Sequence, residues 1–173
     1  VTQGTGLGAA VLLSGRSTSA QVVGCRLTGL QSSGDGVSML SGAVVESLEV
    51  ARNVVPAGNR GFVAVSATLT GVRVVRNNIT TSGASAGVTA STWIGPATGS
   101  LFVANNFVIG RGMSFTQTTT SAGLEVYHNS VLTTGTNVDA IVLGTSSGSA
   151  PVNSVRLKNN IFVVGVSGRT IAV

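Results

Sequence analysis

One spacing recurs along the chain and constrains it more than any other feature. Two apolar residues stand five and three places before a small polar residue, and a third stands two places after it. Around Asn160 these are Val155, Leu157 and Phe162; around Asn129, Leu124, Val126 and Val131. The pattern repeats at Asn106 (Leu101, Val103, Val108), Asn77 (Val72, Val74, Ile79) and Asn53 (Leu48, Val50, Val55). A weaker copy centres on Cys25, with Ala20, Val22 and Leu27. Successive centres lie 28, 24, 29, 23 and 31 residues apart, a mean of 27. A unit of that length cannot bury an apolar face alone, so it must stack on its neighbours as a solenoid.

The alternation within each copy predicts strand. A second strand follows each centre and opens on a small residue: Gly36, Gly61, Gly87, Gly112, Ala140 or Thr170, with an earlier copy at Ala10. Composition agrees. The 24 Gly and the many Val, Ser and Thr disfavour helix and suit turn-rich β structure, and the 43% apolar content is ample for a core. Strands of successive coils must run parallel, because the chain comes round in the same sense each time. The expectation is a single all-β domain over residues 1–173: a right-handed parallel β-helix of about six coils of 23–31 residues, the hand following from the preference of parallel crossovers.

Stacking places identical residues one rung, about 4.8 Å, apart. Asn53, Asn77, Asn106, Asn129 and Asn160 are therefore expected to form an internal amide ladder, each carboxamide donating to one neighbour and accepting from the other. Cys25 fills the same column in the first coil as a small buried hydrophobe.

The copies at residues 72–83, 101–110, 124–135 and 155–165 resemble the repeats of right-handed parallel β-helix proteins of the pectin-lyase-like superfamily. LEVYHNSVLTTG and VRLKNNIFVVG are most similar to later coils of bacterial secreted β-helix proteins, relatives of chondroitinase-B and alginate lyases among them. The resemblance covers nearly the whole chain. It implies the fold, an extracellular or cell-surface location and an association with polysaccharide; it assigns no active site.

Alignment of the coils sets Asp35 beside Arg60, Glu49 beside Arg73, Asp139 beside Arg111 and Arg169, and Glu125 beside Arg156, pairs that would hold the register. Glu49 and Glu125 share a column three rungs, about 14 Å, apart. Asp35 and Asp139 lie four rungs, about 19 Å, apart. Glycoside hydrolysis needs two carboxyls within about 5–9.5 Å, and no such pair is found. Nor does the sequence carry metal-ligand spacing, a phosphate loop or a nucleophile motif, so no catalytic residue, metal or cofactor is assigned.

The line directly before the Asn column reads Gly24, Arg52, Arg76, Asn105, His128, Asn159, with Lys158 beside its end. This stripe contains no acid. It is either a solvated outer face or a grip for the sulfate or carboxylate groups of a glycan through Arg52, Arg76, His128 and Lys158. Trp93, in the long turn of residues 91–100, either stacks on sugar in a groove shared with the turn of residues 144–153 or covers the core.

Net charge is +5, arising from ten basic residues among only five acids. Without basic clusters interleaved with aromatics, nucleic acid is not an expected partner. No apolar run reaches the roughly 20 residues that span a bilayer, so membrane insertion is not expected. The lone Cys25 makes no internal disulfide. The chain begins with Val1 and shows no capping segment, which reads as a processed chain or a piece of a longer one. Further coils, or end-to-end stacking of residues 170–173 on residues 10–13 of a second copy, are the partners expected at its ends. Two functions follow: a non-catalytic extracellular module with a structural, adhesive or filament-forming role, or a carbohydrate-active enzyme, or segment of one, acting on an anionic glycan in the manner of a polysaccharide lyase.

Overall fold

The computed structural model describes residues 8–28, 34–56, 58–82, 85–116, 123–144 and 154–172. Within them the chain is an all-β parallel solenoid without helix. Every strand pair is parallel and joins residues one coil apart. Four sheets run along the axis. Sheet 1 has seven strands and contains Asp35–Met39, Arg60–Val65, Val88–Ser91 and Met113–Thr116. Sheet 2 has six, from Gln21–Val23 to Val155–Lys158. Sheet 3 has five, from Val54–Val55 to Ile161–Val163, and sheet 4 has three, Arg16–Thr18, Val44–Glu46 and Thr68–Thr70.

About five turns are complete, slightly fewer than six. The coil around Cys25 lacks its sheet 3 strand and is held there by the isolated bridge Arg26 to Val54. The repeated motif is also two strands rather than one. The apolar residue three before each Asn and the one two after it are five places apart, an odd interval that one strand would send to opposite faces. Both point inward because the chain bends between them. The residue before each column position has a left-handed backbone: Gly24, Arg52, Arg76, Asn105, His128 and Asn159, with φ from 52° to 67°. Similar bends at Ser19, Ser47 and Gly71 separate sheets 4 and 2.

The core is a column of aliphatic residues, one set per coil, such as Val22, Val50, Val74, Val103 and Val126 from sheet 2 and Val55, Ile79, Val108 and Val131 from sheet 3. The small residues opening the sheet 1 strands have a steric cause. A Cβ on Gly61 would lie 2.6–2.8 Å from three Ile79 atoms, and one on Gly87 2.7 Å from Val108. Sheets 1 and 3 meet too closely there for a side chain.

The Asn ladder forms, and it has a direction. The backbone N–H and Nδ2 of Asn53, Asn77, Asn106 and Asn129 each donate to Oδ1 of the next column Asn at 2.9–3.0 Å. The second Nδ2 hydrogen goes to a carbonyl of the preceding coil: Val22, Val50, Val74, Val103 and, from Asn160, Val126. At the start of the column the Cys25 N–H donates to Asn53 Oδ1 at 2.9 Å, while its thiol reaches only Val23 O at 3.5 Å.

Trp93 corrects one of its two expected roles. Its ring is wholly buried (0% exposed) within the main core, so it does not present a face to sugar. The left-handed turn at Thr92 and the bridge from Thr68 to Ile94 aim it inward, level with the small Ala67 of the preceding coil. Of the facing turn, residues 145–153 lie outside the described residues.

Candidate functional site: the outer face of sheet 2

The outer side of sheet 2 carries three columns, each stepping by one rung. The first reads Gln21, Glu49, Arg73, Phe102, Glu125, Arg156, and the second Val23, Ala51, Val75, Ala104, Tyr127, Lys158. The third is the left-handed bend. Four of the expected ligand residues therefore lie together: Arg52, Arg76 and His128 are exposed in the bend column, and exposed Lys158 is the rung partner of Tyr127. Backbone hydrogen bonds fix the column, Arg52 N to Val75 O at 3.2 Å, Arg76 N to Ala104 O at 3.0 Å and His128 N to Lys158 O at 2.9 Å.

The middle column is a small external core. Ala51, Val75 and Ala104 are buried there, packed with Val23, Phe102 and Tyr127. The Phe102 and Tyr127 rings meet edge to face at 5.6 Å, and Tyr127 lies beside His128 with centroids 6.5 Å apart. The Arg73 guanidinium lies 4.7 Å above the Phe102 ring. The result is an aromatic platform bordered by cations. Single-sequence reading missed it, although Phe102 and Tyr127 standing on adjacent rungs were a visible signal.

Charge pairing on this face departs from expectation. Glu49 and Arg73 are in register, as are Glu125 and Arg156. Yet among the described residues the ion pairs are Arg60–Asp35, Arg169–Asp139 and Arg16–Glu46, each 2.8 Å. The aromatic rings explain the difference: Arg73 gains a cation–π contact and covers apolar surface with its stem by turning to Phe102, and Tyr127 stands between Glu125 and Arg156. Arg111 forms no ion pair with Asp139, because Arg169 takes both carboxylate oxygens and donates its backbone N–H as well. That contact holds the Asp139 carboxyl below its ordinary range, against an opposing effect of partial burial.

All three ion pairs thus lie away from this face, which keeps Arg52, Arg73, Arg76, Arg156 and Lys158 against Glu49 and Glu125. Arg52 and Arg76 are neighbours in one acid-free column. The Tyr127 hydroxyl is pushed above its ordinary range, first by burial against the platform and then by Glu125, with Arg156 opposing. This is the wrong direction for a general base near neutrality. Glu49 and Glu125 stand three rungs apart, as the register requires. Among the described residues no three His, Cys, Asp or Glu side chains are grouped to hold a metal. What the face offers chemically is anion binding and stacking.

Comparison with family models, with curated proteins and with solved structures finds no match, so the likeness to pectin-lyase-like repeats rests on the repeats themselves.

Proposed function

We propose that this is a non-catalytic β-helix module of an extracellular surface, with an adhesive role exercised by holding an anionic glycan along the outer face of sheet 2. The observation that carries the reading is the identity of the bend residues. Among the described non-glycine residues with left-handed backbone, Arg52 and Arg76 are the only long charged ones; the rest are Ser, Thr, Asn and His. A left-handed backbone costs a residue with a Cβ roughly 1–2 kcal/mol, and Gly24, Asn105 and Asn159 show which types suit the bend. Adjacent like charges on neighbouring rungs add repulsion. Two unfavourable choices at one place are the mark of a site whose strain serves binding. A linear polyanion lying along the axis would meet Arg52 and Arg76 in turn, with Phe102 and Tyr127 offering aromatic surface to sugar faces beyond them.

The ladder's polarity bears on the end partners. Continuing the pattern past Asn160 calls for a carboxamide oxygen in the next coil. A second copy stacked head to tail would supply Cys25 there, a sulfur in place of that oxygen, whereas a coil carrying Asn in the column keeps the hydrogen bonds. This supports further β-helical coils over self-stacking.

The test is the double variant Arg52→Asn, Arg76→Asn, assayed for melting temperature and for retention on immobilised sulfated and carboxylated polysaccharide. Stability should rise while retention falls at least about tenfold, the loss of roughly one charge-assisted contact. Unchanged retention would overturn the reading. Release of unsaturated oligosaccharide by the unsubstituted protein would replace it with a lyase.

A further inference from the structure

We infer that the outer face of sheet 3 docks on an anionic lipid surface. Sheet 3 adjoins sheet 2 across the Asn column, but its exterior is of another kind. Phe107, Ser130 and Ile161 stand in one outward column, and Ile109, Leu132 and Val163 in the next. Phe107 is 44% exposed, Leu132 37%, Ile161 63% and Val163 52%. The remaining outward positions are Val54, Asn78 and Thr80, with exposed Arg26 bridged to Val54 at the far end of the first column, so among the described residues no acid stands on this face and its one charged side chain is a cation. A contiguous exposed apolar patch of this kind marks a protein or membrane contact.

The rim decides between them. Exposed Arg111 follows the strand Phe107–Gly110 on one side, and His128 and exposed Lys158 stand on the other, at the same coils. Uncharged apolar side chains in one plane, with cations at the margin, match the boundary between acyl chains and anionic headgroups. The stems of Arg111 and Lys158 allow their charges to stay at headgroup level while the sheet lies flat. Backbone groups of interior strands are already paired with neighbouring coils, so contact with lipid strands none of them. A second copy fits less well: two such faces brought together about a two-fold axis would gather both cationic rims. The acid nearest Arg111 in the coil alignment, Asp139, is already held by Arg169.

The contact proposed is peripheral, with the sheet lying on the surface; among the described residues no helix is long and apolar enough to cross a membrane. Glycan retention is tested at Arg52 and Arg76 and lipid docking at Leu132 and Ile161, so the two proposals fail independently although His128 and Lys158 border both faces.

Co-sedimentation of the full chain with phosphatidylcholine vesicles, with and without phosphatidylglycerol, tests this. Binding is expected only with phosphatidylglycerol, weakening with salt, and Leu132→Asp should reduce it at least about tenfold. Ile161→Thr, at a position too exposed to disturb the fold, should also weaken it, and Arg52→Asn, Arg76→Asn, two or more coils away from Leu132, should weaken it less than Leu132→Asp does. Equal binding to neutral vesicles, absence of binding to either, or a dimer in light scattering that Leu132→Asp dissociates would each overturn the inference.

Discussion

The carboxamide oxygen of Asn106 accepts two hydrogen bonds from Asn77, one from its backbone N–H and one from Nδ2, each at 3.0 Å. With its own Nδ2 shared between Val74 O and Asn129 Oδ1, Asn106 uses both lone pairs and both amide hydrogens. Because the arrangement repeats in one direction, the sheet 2 to sheet 3 corner is held by a continuous polar column inside an apolar wall. An unpaired buried donor costs more than a made bond returns, so the column enforces register as well as adding stability.

Asn106→Ala should therefore cost about 3 kcal/mol, since Asn77 loses the acceptor for two buried donors. Asn160→Ala, at a half-buried position, should cost less. Cys25→Asn should do the opposite. Its Nδ2 would donate to Asn53 Oδ1, which now receives only the Cys25 N–H, adding about 0.5–1.5 kcal/mol. Urea unfolding of the three variants checks the order; a Cys25→Asn protein weaker than the parent would show that the thiol's packing outweighs the missing rung.

The ladder was legible because a solenoid repeats its packing, and one sequence then supplies its own alignment. Asn53 to Asn160 could be placed from apolar spacing alone. The split of each repeat at the bend was also written in the sequence, in the odd interval between Leu157 and Phe162. Side-chain direction was not. Register put Glu49 beside Arg73, but which neighbour Arg73 turns toward depends on Phe102 one rung further, a competition between an ion pair and a ring that spacing does not rank. Trp93 escaped for a related reason: it sits in an irregular turn, where no period says which way a side chain points. The apolar exterior of sheet 3 was hidden because Ile161 and Val163 look like core residues until Phe162 between them is known to face inward.

The Asp139–Arg169 contact should show in acid. The folded-state carboxyl is held below its ordinary value of 3.8, so its contribution is fully present above that value and disappears as pH falls through the folded pKa. Asp139→Asn should remove this part of the acid dependence and leave the alkaline side unaltered. Urea midpoints of both proteins, followed downward from neutrality, should converge as the parent's carboxyl is protonated. Parallel curves would mean that the contact does not persist in solution.

Tyr127 is the only tyrosine in the chain, so phenolate absorbance reports it alone. Its hydroxyl should ionise above the ordinary value of 10.0 in the folded protein. The raised folded pKa contributes stability present below that ordinary value and lost as pH rises through the folded pKa. Glu125→Gln should bring the titration down and Arg156→Gln should take it up, because the two neighbours act with opposite sign. A bound polyanion should shift it further upward by adding negative charge beside the ring. A midpoint at the ordinary value, indifferent to both substitutions, would place the hydroxyl in open solvent.

Trp93 is fully buried, and its Nε1 is a buried side-chain donor without a hydrogen-bond partner among the described residues. These facts pull in opposite directions: the ring supplies a large apolar contact, while the unpaired N–H costs about 1–3 kcal/mol. Trp93→Ala loses the contact and leaves a cavity, at about 3–5 kcal/mol. Trp93→Phe keeps most of the ring and removes the unpaired donor, so the smaller ring's cavity is offset and the net cost should be about 1 kcal/mol. As the only tryptophan, it also makes the parent's emission a direct report on burial. The spectrum should be blue-shifted and unmoved by anionic polysaccharide, which meets the protein on sheet 2. Urea unfolding of the two variants decides the rest: if Phe costs as much as Ala, the indole N–H is hydrogen-bonded and the orphaned donor is not a feature of the protein in solution.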